Sequence, residues 1–424
     1  MEMLDHRGRV RVVVSGLGAI TPLGLTVDSF WEGLLEGRST VDRVTLFDAS
    51  CYPCQIAAEV RGFDPRDYMD RKAARRMARG VQFGMAAAQQ ALADAELDPP
   101  VNNAERMGIV IGTAMGGFDM AMSGIDTVRK KGWRRVGPTV IAASLPNMPA
   151  FHISQRYGIR GYTGTVATAC ASGTQAIGMA ADVIRHGRAD VMLCGGAEAL
   201  VIEMAFAGFS SMRGLSQRND EPDKALRPFD KDRDGFLLGE AAAILILERL
   251  EHALDRGAHI YAELLGSATS ADAYNIAIPD PEGLGAKNAM RWALDDAGVT
   301  PEEVDYINAH GASTPVGDAV ETLAIKRLFG KAAYRIPVSA TKSMIAHSMG
   351  SAGAVEALAG IKTISTGTIH PTINYETPDP DCDLDYVPNR ARKADVRTVL
   401  SNSFGLGGQN ACIVLRRFDE GGAR

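Results

Sequence analysis

Cysteine is scarce in this chain, with six in 424 residues. The six stand at Cys51, Cys54, Cys170, Cys194, Cys382 and Cys412. This spacing lacks the dense pattern of small disulfide-stapled secreted domains, so we expect free thiols and a reducing compartment, the cytoplasm. Cys51 and Cys54 form a lone C-x-x-C without a second pair at metal spacing, and we interpret it as structural coincidence.

Long apolar runs are also missing. No stretch reaches the roughly 18 apolar residues of a membrane span, and the charged first residues lack the apolar core of a secretory signal. We therefore expect neither membrane insertion nor export. Proline-rich, serine-rich and low-complexity tracts are absent too, so nothing in the sequence marks a linker between domains. The net charge of −6 argues against nucleic-acid binding.

Short apolar segments alternate with alanine-rich helical patterns along the chain. Strands are predicted at residues 12–15, 108–111, 191–194, 242–247, 304–308 and 411–415, and helices at 84–95, 175–186, 286–297 and 352–364. With 46% apolar residues and 45 glycines, this alternation predicts an α/β enzyme. It favours a largely parallel sheet that is covered on both faces.

Cys170 is the most informative residue. It follows a β-branched run from Thr165 and precedes the helical pattern at 175–186, which places it at a helix N-terminus. The unpaired N–H groups and positive dipole end there favour the thiolate. The turn by itself leaves two interpretations open. Cys170 is either a small buried apolar residue or a nucleophile that requires a histidine elsewhere in the chain.

Two histidines in loops of small residues supply candidate partners. His310 follows the predicted strand at 304–308, and His347 stands five residues after Lys342. Loop positions next to strands often carry catalytic groups. A glycine-containing segment at 402–410 follows another strand-like run, and its backbone N–H groups could stabilise an oxyanion.

Five motifs in one order now make the chain resemble a known family, the elongating 3-oxoacyl-[acyl-carrier-protein] synthases, most closely the type II branch. The motifs are Ala167-Thr168-Ala169-Cys170-Ala171-Ser172-Gly173, Arg227-Pro228-Phe229-Asp230-Lys231-Asp232-Arg233-Asp234-Gly235-Phe236, His310-Gly311-Ala312-Ser313-Thr314-Pro315, Thr341-Lys342-Ser343 with His347, and Asn402-Ser403-Phe404-Gly405-Leu406-Gly407-Gly408. The resemblance runs from residue 12 to residue 417. It implies a thiolase-like α/β fold, two similar halves in five α-β-α-β-α layers, which we place at residues 1–255 and 256–424.

The resemblance implies chain elongation in fatty-acid synthesis by two half-reactions. Cys170 takes an acyl group from acyl carrier protein, and malonyl carrier protein then loses carbon dioxide and attacks the acyl-cysteine. The resemblance implies that His310 and His347 donate to the enolate oxygen, and that Lys342 orients His347 with Glu321 as its acidic partner. The backbone N–H groups of Cys170 and Leu406 are implied to form the oxyanion hole. Phe404 is implied to have a supporting role.

Substrate-binding positions are implied at Thr314, Ala312, Met115 and Leu406. Most relatives have phenylalanine where Leu406 stands, and a Phe pair is common where Thr139 and Val140 stand. These departures leave open a polyketide or polyene ketosynthase with the same chemistry. A non-catalytic partner subunit is a third alternative, but Cys170, His310 and His347 weigh against it.

The resemblance also implies an acidic carrier protein as partner, which requires a local basic surface on an acidic chain. Candidate docking residues are Lys72, Arg75, Arg76, Arg134, Arg135 and Arg213, the first three at helical spacing. We further expect a homodimer, no cofactor and no catalytic metal. A structural monovalent cation near Asn308 and Glu356 is compatible with the family.

Overall fold

The computed structural model describes residues 2–98 and 103–419. The β-strands are β1 Val12–Ile20, β2 Asp42–Arg43, β3 Ile56–Ala57, β4 Met107–Gly112, β5 Thr163–Val166, β6 Val191–Ala199, β7 Glu240–Arg249, β8 Ala262–Ala271, β9 Tyr306–Asn308, β10 Val338–Ser339, β11 Thr368–Ile369, β12 Arg392–Lys393, β13 Thr398–Gly405 and β14 Gln409–Arg416. The α-helices are α1 Val27–Glu36, α2 Arg71–Ala74, α3 Arg79–Asp94, α4 Phe118–Lys131, α5 Val140–Ser144, α6 Met148–Tyr157, α7 Ser172–Arg185, α8 Glu203–Ser211, α9 Leu250–Asp255, α10 Leu284–Ala297, α11 Pro315–Phe329, α12 Lys342–Ile345 and α13 Ala352–Thr366.

The sheet is mixed, so the prediction of a largely parallel sheet is wrong. The strand order is β10-β9-β13-β14-β8-β1-β7-β6-β4-β5. β4 runs parallel to β5 and β6, and β9 runs parallel to β10 and β13, whereas the other neighbours are antiparallel. The reason is local: β13 and β14 form a hairpin with no helix between them, and β7 is antiparallel to both of its neighbours.

Each half of the chain repeats one strand arrangement. In the first half the five strands in chain order are β1, β4, β5, β6 and β7, and in the second half they are β8, β9, β10, β13 and β14. When each set is numbered 1 to 5, both lie in the order 3-2-4-5-1 with the same pairing directions. The two parts meet at β1 and β8 through two residue pairs, Val13 with Glu263 and Val14 with Ala262. The duplication expected from the resemblance is therefore present. The boundary predicted after residue 255 falls between α9 and β8, and it stays a prediction.

Two central helices separate the sheet halves and position the later site. α7 and α13 are rich in small residues, are almost fully buried and contact strands of both halves. A Cβ at Gly173 would lie 2.8 Å from the backbone nitrogen of Ala354, so glycine permits this close helix contact. α3 and α10 cover the outer faces. The five layers of the predicted fold are thus confirmed, and the N-termini of α7 and α13 meet near the molecular centre.

Within residues 2–98 and 103–419, no helix combines the length and apolar character needed to cross a membrane. The predicted strands and helices all occur, most of them longer than predicted. The strand predicted at 12–15 continues to Ile20, because the following small residues are buried between neighbouring strands. The strand predicted at 304–308 is shorter and begins at Tyr306.

Candidate active site

Cys170 lies in a single 3₁₀ turn, Ala169–Ala171, directly before α7, and its side chain is 4% exposed. The Ser172 hydroxyl holds the turn by accepting the Thr168 N–H at 2.9 Å and donating to the Ala169 carbonyl at 2.6 Å. The backbone N–H groups of Cys170 and Leu406 lie near the Cys170 sulfur, where they lower its pKa. Their role as an oxyanion hole for the carbonyl oxygen of an attacked thioester stays a prediction.

The environment of the thiol overturns the prediction of a favoured thiolate. Burial raises the pKa of Cys170 to about 11, and the Lys342 charge and the two N–H donors oppose this rise only in part. Cys170 packs in a cluster of apolar side chains that includes Leu200, Phe206 and Met349. The loss of water around a buried anion disfavours the thiolate. The thiol is therefore protonated at neutral pH in this state.

Both histidines line the same cavity as Cys170, which has a volume of about 340 Å³. The ring centroids of His310 and His347 lie 5.4 Å apart, with an interplanar angle of 83°. His310 Nδ1 accepts the Phe404 N–H at 3.3 Å, and His347 Nδ1 accepts the Met349 N–H at 3.2 Å. Because each Nδ1 is an acceptor, each neutral ring carries its proton on Nε2.

The protonation of these rings follows from their surroundings. Burial, and then the nearby Lys342 charge, hold the pKa of both His310 and His347 well below the usual value. Both are neutral at pH 7. His347 Nε2 is buried without a hydrogen-bond partner among the described residues. The site thus has imidazole N–H groups available for an oxygen that gains negative charge.

The contacts of Lys342 differ from those expected. Its ammonium group donates to the His310 carbonyl at 2.6 Å and lies 3.4 Å from His310 Nδ1, so it contacts His310 and not His347. Its buried ion-pair partner is Glu356. Glu321 instead accepts the backbone N–H groups of His310 at 2.9 Å and Gly311 at 2.8 Å. The expected pairing of Lys342 with Glu321 is therefore wrong, because Glu321 supports the histidine loop.

Most of the predicted substrate-binding residues lie together. Ala312, Thr314 and Leu406 all line the cavity, as does Phe404, which was predicted as a supporting residue. Thr314 also caps α11, since its hydroxyl oxygen accepts the Gly317 N–H at 3.1 Å, which leaves the hydroxyl proton free to donate. Met115 does not line the cavity and is 39% exposed, so its assignment to substrate binding stays a prediction.

A segment that sequence reasoning missed holds the turn that carries Leu406. The Asp272 N–H donates to the Gly408 carbonyl at 2.8 Å, and the Asp272 carboxylate accepts the Asn410 amide at 2.7 Å. The Gly407 N–H donates to the Ile276 carbonyl at 2.8 Å. In the sequence, Gly407 and Gly408 indicated that this backbone approaches another group closely. Nothing in the sequence identified the segment around Asp272 as the group that it contacts.

The predicted docking cations occupy three exposed segments. Lys72 lies in α2, which ends at Ala74, so Lys72, Arg75 and Arg76 do not share one continuous helix as predicted. Arg134 and Arg135 lie in a single 3₁₀ turn. Arg213 lines the cavity that contains Cys170. The other five cations do not line it.

Comparison with known families decides the assignment. The chain matches the family model for the β-ketoacyl synthase N-terminal domain over residues 9–253 and that for the C-terminal domain over residues 261–376. The chain belongs to the β-ketoacyl synthase family. It is an acyl-transferring condensing enzyme, as the motifs predicted.

Individual relatives agree with this family. A 3-oxoacyl-[acyl-carrier-protein] synthase 2 of Synechocystis sp. is 48% identical over 408 residues, which cover 96% of this chain and 98% of the relative. Among solved structures, the ishigamide ketosynthase/chain length factor is 38% identical with a TM-score of 0.90, over 97% of this chain and 100% of that one. A ketosynthase bound to the hexaketide, in complex with its type II polyketide synthase acyl-carrier protein, is 35% identical with a TM-score of 0.86, at the same coverage. The predicted resemblance to the type II branch is confirmed.

Glu198 is a second feature of the enzyme that sequence reasoning missed. Its carboxylate is fully buried and accepts the Thr113 hydroxyl at 3.1 Å, the Met115 N–H at 3.3 Å and the Ala114 N–H. The backbone of Gly350, three residues after His347, lies near this carboxylate and lowers its pKa. The second oxygen of Glu198 has no partner among the described residues. Glu198 therefore holds the loop after β4, next to the loop that carries His347.

Burial raises the pKa of Glu198 to about 7, against an ordinary value of 4.5. The folded state binds this proton more tightly, so its contribution to stability is present below pH 4.5 and is lost as the pH rises through 7. Glutamine does not titrate. The free energy of unfolding of Glu198→Gln minus that of the wild type should therefore rise by about 2 to 3 kcal/mol from pH 5 to pH 8. Urea unfolding of both proteins at the two pH values measures this difference, and the same difference at both pH values would contradict the prediction.

Two buried side-chain oxygens could hold the structural monovalent cation that the family resemblance allows. Asn308 and Ser401 are paired on neighbouring strands and fully buried, and Asn308 Oδ1 and Ser401 Oγ lack hydrogen-bond partners among the described residues. Uncharged oxygens of this kind suit a hard monovalent ion. Glu356 is already paired with Lys342. Asn308 and Ser401 therefore fit the ion, and its presence stays a prediction.

Proposed function

We propose that this enzyme elongates acyl chains in fatty-acid synthesis, by condensing a Cys170-bound acyl group with malonyl-acyl carrier protein. The observation that carries the proposal is the shared cavity of Cys170, His310 and His347, with a neutral imidazole N–H on each histidine. This set of donors suits a reaction that forms first a tetrahedral oxyanion and then an enolate.

In the first half-reaction, the Cys170 sulfur attacks the thioester carbonyl of the acyl carrier protein. The N–H groups of Cys170 and Leu406, which lie near the sulfur in the resting state, hold the oxygen that becomes negative. The C–S bond to the phosphopantetheine arm breaks, and its sulfur leaves with the thiol proton of Cys170. An acyl-cysteine and a free carrier thiol result.

In the second half-reaction, the bond between the malonyl carboxylate and its α-carbon breaks, and carbon dioxide leaves. The electron pair forms an enolate, whose oxygen accepts from Nε2–H of His310 and His347. The α-carbon then attacks the acyl-cysteine carbonyl, the C–S bond to Cys170 breaks, and 3-oxoacyl carrier protein is released. The Cys170 thiolate takes a proton from water, which replaces the one that left with the free carrier thiol. Lys342 and Phe404 contribute by holding His310 in its tautomer.

The polyketide alternative has the same chemistry and a different acyl substrate. The curated relative at 48% identity is named for 3-oxoacyl carrier protein synthesis, whereas the ketosynthase structures are 38% and 35% identical. The higher identity supports the fatty-acid pathway.

Intact-protein mass spectrometry tests the function directly. The enzyme is mixed with straight-chain acyl carrier proteins of different lengths, and malonyl carrier protein is then added. We expect an acyl adduct on Cys170 that is discharged as a 3-oxoacyl product two carbons longer. No adduct with any straight-chain acyl group would contradict the fatty-acid proposal and favour a specialised polyketide substrate.

Leu406 is proposed to control access to the acyl pocket, because it lines the cavity and packs with the Cys170 cluster. Phenylalanine would fill more of the space, so Leu406→Phe should narrow the range of accepted chain lengths. Acylation rates over a series of carrier-bound chains, with Leu4→Phe as an exposed control outside the cavity, measure the effect. An unchanged chain-length profile would contradict a gating role.

A homodimer and a cytoplasmic location are part of the proposal. Among the strands that the structure describes, β5 lies at the end of the sheet and pairs only with β4. Seven large apolar side chains between β4 and β5 are exposed on the single chain: Met115, Ile125, Val128, Trp133, Ile141, Leu145 and Phe151. A second copy would cover such a surface. The six cysteines are free thiols, which supports a reducing compartment.

A further inference from the structure

The segment at residues 227–235 contains none of the residues assigned to the two half-reactions, yet it is bonded closely to residues 313–318, where α11 begins. The Arg227 N–H donates to the Ser313 hydroxyl at 3.1 Å, and the Gly235 N–H donates to the Ser313 carbonyl at 3.1 Å. Ser313 has a φ of 67°, which is uncommon for a residue other than glycine. The segment therefore holds the loop before α11 in a strained conformation.

Arg233 bonds to this loop through its guanidinium group, and its side chain is 4% exposed. Nε donates to the Thr314 carbonyl at 3.1 Å, and Nη2 donates to the Pro315 carbonyl at 2.8 Å. Nη1 donates to the Asp230 carbonyl at 2.7 Å and pairs with the Asp379 carboxylate at 2.6 Å. All three nitrogens of the guanidinium are thus fixed by hydrogen bonds.

The placement of this cation is costly, because a positive charge at a helix N-terminus opposes the helix dipole and burial removes its water. Asp318, in the first turn of α11, lies 3.9 Å from the Arg233 guanidinium and offsets part of the cost. Only a planar guanidinium presents donors on separate nitrogens to two successive carbonyls, so lysine cannot make the same contacts. The position therefore requires arginine for the geometry that it imposes on the loop.

Both sides of this junction line the cavity that contains Cys170. Asp234 and Gly235 line it from one segment, and Thr314 and Pro315 line it from the other. The bonds between the two segments fix the Thr314 backbone. They also fix the position of its hydroxyl, whose proton is free to donate.

We propose that Arg233 is a positioning residue that sets the Thr314 hydroxyl for a hydrogen bond to the phosphopantetheine arm of the substrate. The inference rests on the proposed function and adds to it a residue that determines specificity for the arm. Among the described residues Arg233 does not line the cavity, so it acts through the Thr314 and Pro315 carbonyls and does not touch the substrate. Its replacement should weaken binding of the arm and leave the chemistry at Cys170 unchanged.

Kinetics with and without the arm test the proposal. Octanoyl-pantetheine carries the arm, whereas S-methyl thiooctanoate has the same acyl group and no arm. Arg233→Lys should raise the KM for octanoyl-pantetheine about five- to tenfold, with the maximal acylation rate kept within about twofold, as expected for the loss of roughly one hydrogen bond. The kcat/KM for the methyl thioester should not change. Lower rates with both thioesters would show a merely structural role and overturn the proposal, as would an unchanged KM for octanoyl-pantetheine.

Arg185→Lys is the matched control for this experiment. The Arg185 side chain is 3% exposed, and its guanidinium donates to the Leu264 carbonyl at 3.0 Å and the Leu265 carbonyl at 2.9 Å. None of these three residues lines the cavity in the part of the chain that the structure describes, so the KM for octanoyl-pantetheine should keep its wild-type value. An equal rise in KM would show that replacing any buried arginine has this effect, and it would overturn the specific role of Arg233.

A double-mutant cycle shows whether Arg233 acts through Thr314. Thr314→Ala alone should raise the KM for octanoyl-pantetheine, and Arg233→Lys in that background should add less than about twofold. A further rise of about fivefold would mean that the two effects are independent and would overturn the proposal.

A second variant keeps the proposal testable where Arg233→Lys does not fold. Asp379→Asn removes the carboxylate that pairs with the guanidinium, so it should raise the KM for octanoyl-pantetheine in the same direction. A wild-type KM in that variant would overturn the positioning role of Arg233. Failure of the wild-type enzyme to react with either thioester would instead contradict the proposed function, and the inference with it.

Discussion

Cys170→Ala is expected to abolish acyl transfer, with a loss on the order of 10⁴-fold or more. The sulfur is the proposed nucleophile and lies near the N–H groups of Cys170 and Leu406, and no second cysteine lines the cavity within the described residues. Decarboxylation of malonyl carrier protein should persist, because His310 and His347 retain their contacts. Intact-protein mass spectrometry measures the adduct, and release of carbon dioxide measures decarboxylation.

Cys51→Ser is the matched control for this experiment. Cys51 is exposed and lies outside the cavity, so its replacement should leave both half-reactions unchanged. An acyl adduct on the Cys170→Ala variant at the wild-type rate would refute the assigned nucleophile. An adduct that moves to Cys51 would show instead that surface thiols react without enzymatic assistance.

His310→Ala is expected to form the acyl-enzyme normally but to condense roughly 10² to 10³ times more slowly. The first half-reaction uses the two backbone donors, whereas the second loses one imidazole donor to the enolate oxygen. The variant also removes His310 Nδ1, which accepts the Phe404 N–H and is contacted by the Lys342 ammonium group. Single-turnover measurement of each half-reaction separates the two effects.

His259→Ala is a suitable control, since His259 is exposed and lies outside the cavity. It should match the wild type in both half-reactions. Condensation by His310→Ala at the wild-type rate would overturn the role of His310. Equal losses in both half-reactions would show that the ring positions Cys170 as well, through the loop that Glu321 supports.

The secondary structure was largely predictable from sequence, but the strand arrangement was not. Apolar runs at 191–194 and 242–247 identify strands because burial on both faces leaves a local signature. Their antiparallel pairing has no such signature, since it depends on contacts between segments far apart in the chain. The duplication followed from the resemblance, and the repeated strand order became visible only in three dimensions.

The members of the site were predictable for a different reason. Cys170, His310 and His347 stand in short motifs whose residue types are demanded by chemistry, and the structure places all three around one cavity. Their roles stay predictions that the variants above test. Glu198 and Asp272 stand in no such motif, and their importance lies in hydrogen bonds to loops distant in sequence.

By itself the sequence determined the family, the condensing chemistry and the candidate nucleophile, because these depend on residue types at fixed short spacings. Only the tertiary structure decided the protonation of the site and the partners of its charged groups. Burial leaves Cys170 a thiol with a pKa of about 11, and the backbone N–H groups of Phe404 and Met349 select the histidine tautomers. Lys342 pairs with Glu356 and not with Glu321. Desolvation and hydrogen bonding depend on which distant segments fold against each group, and the linear sequence does not record that.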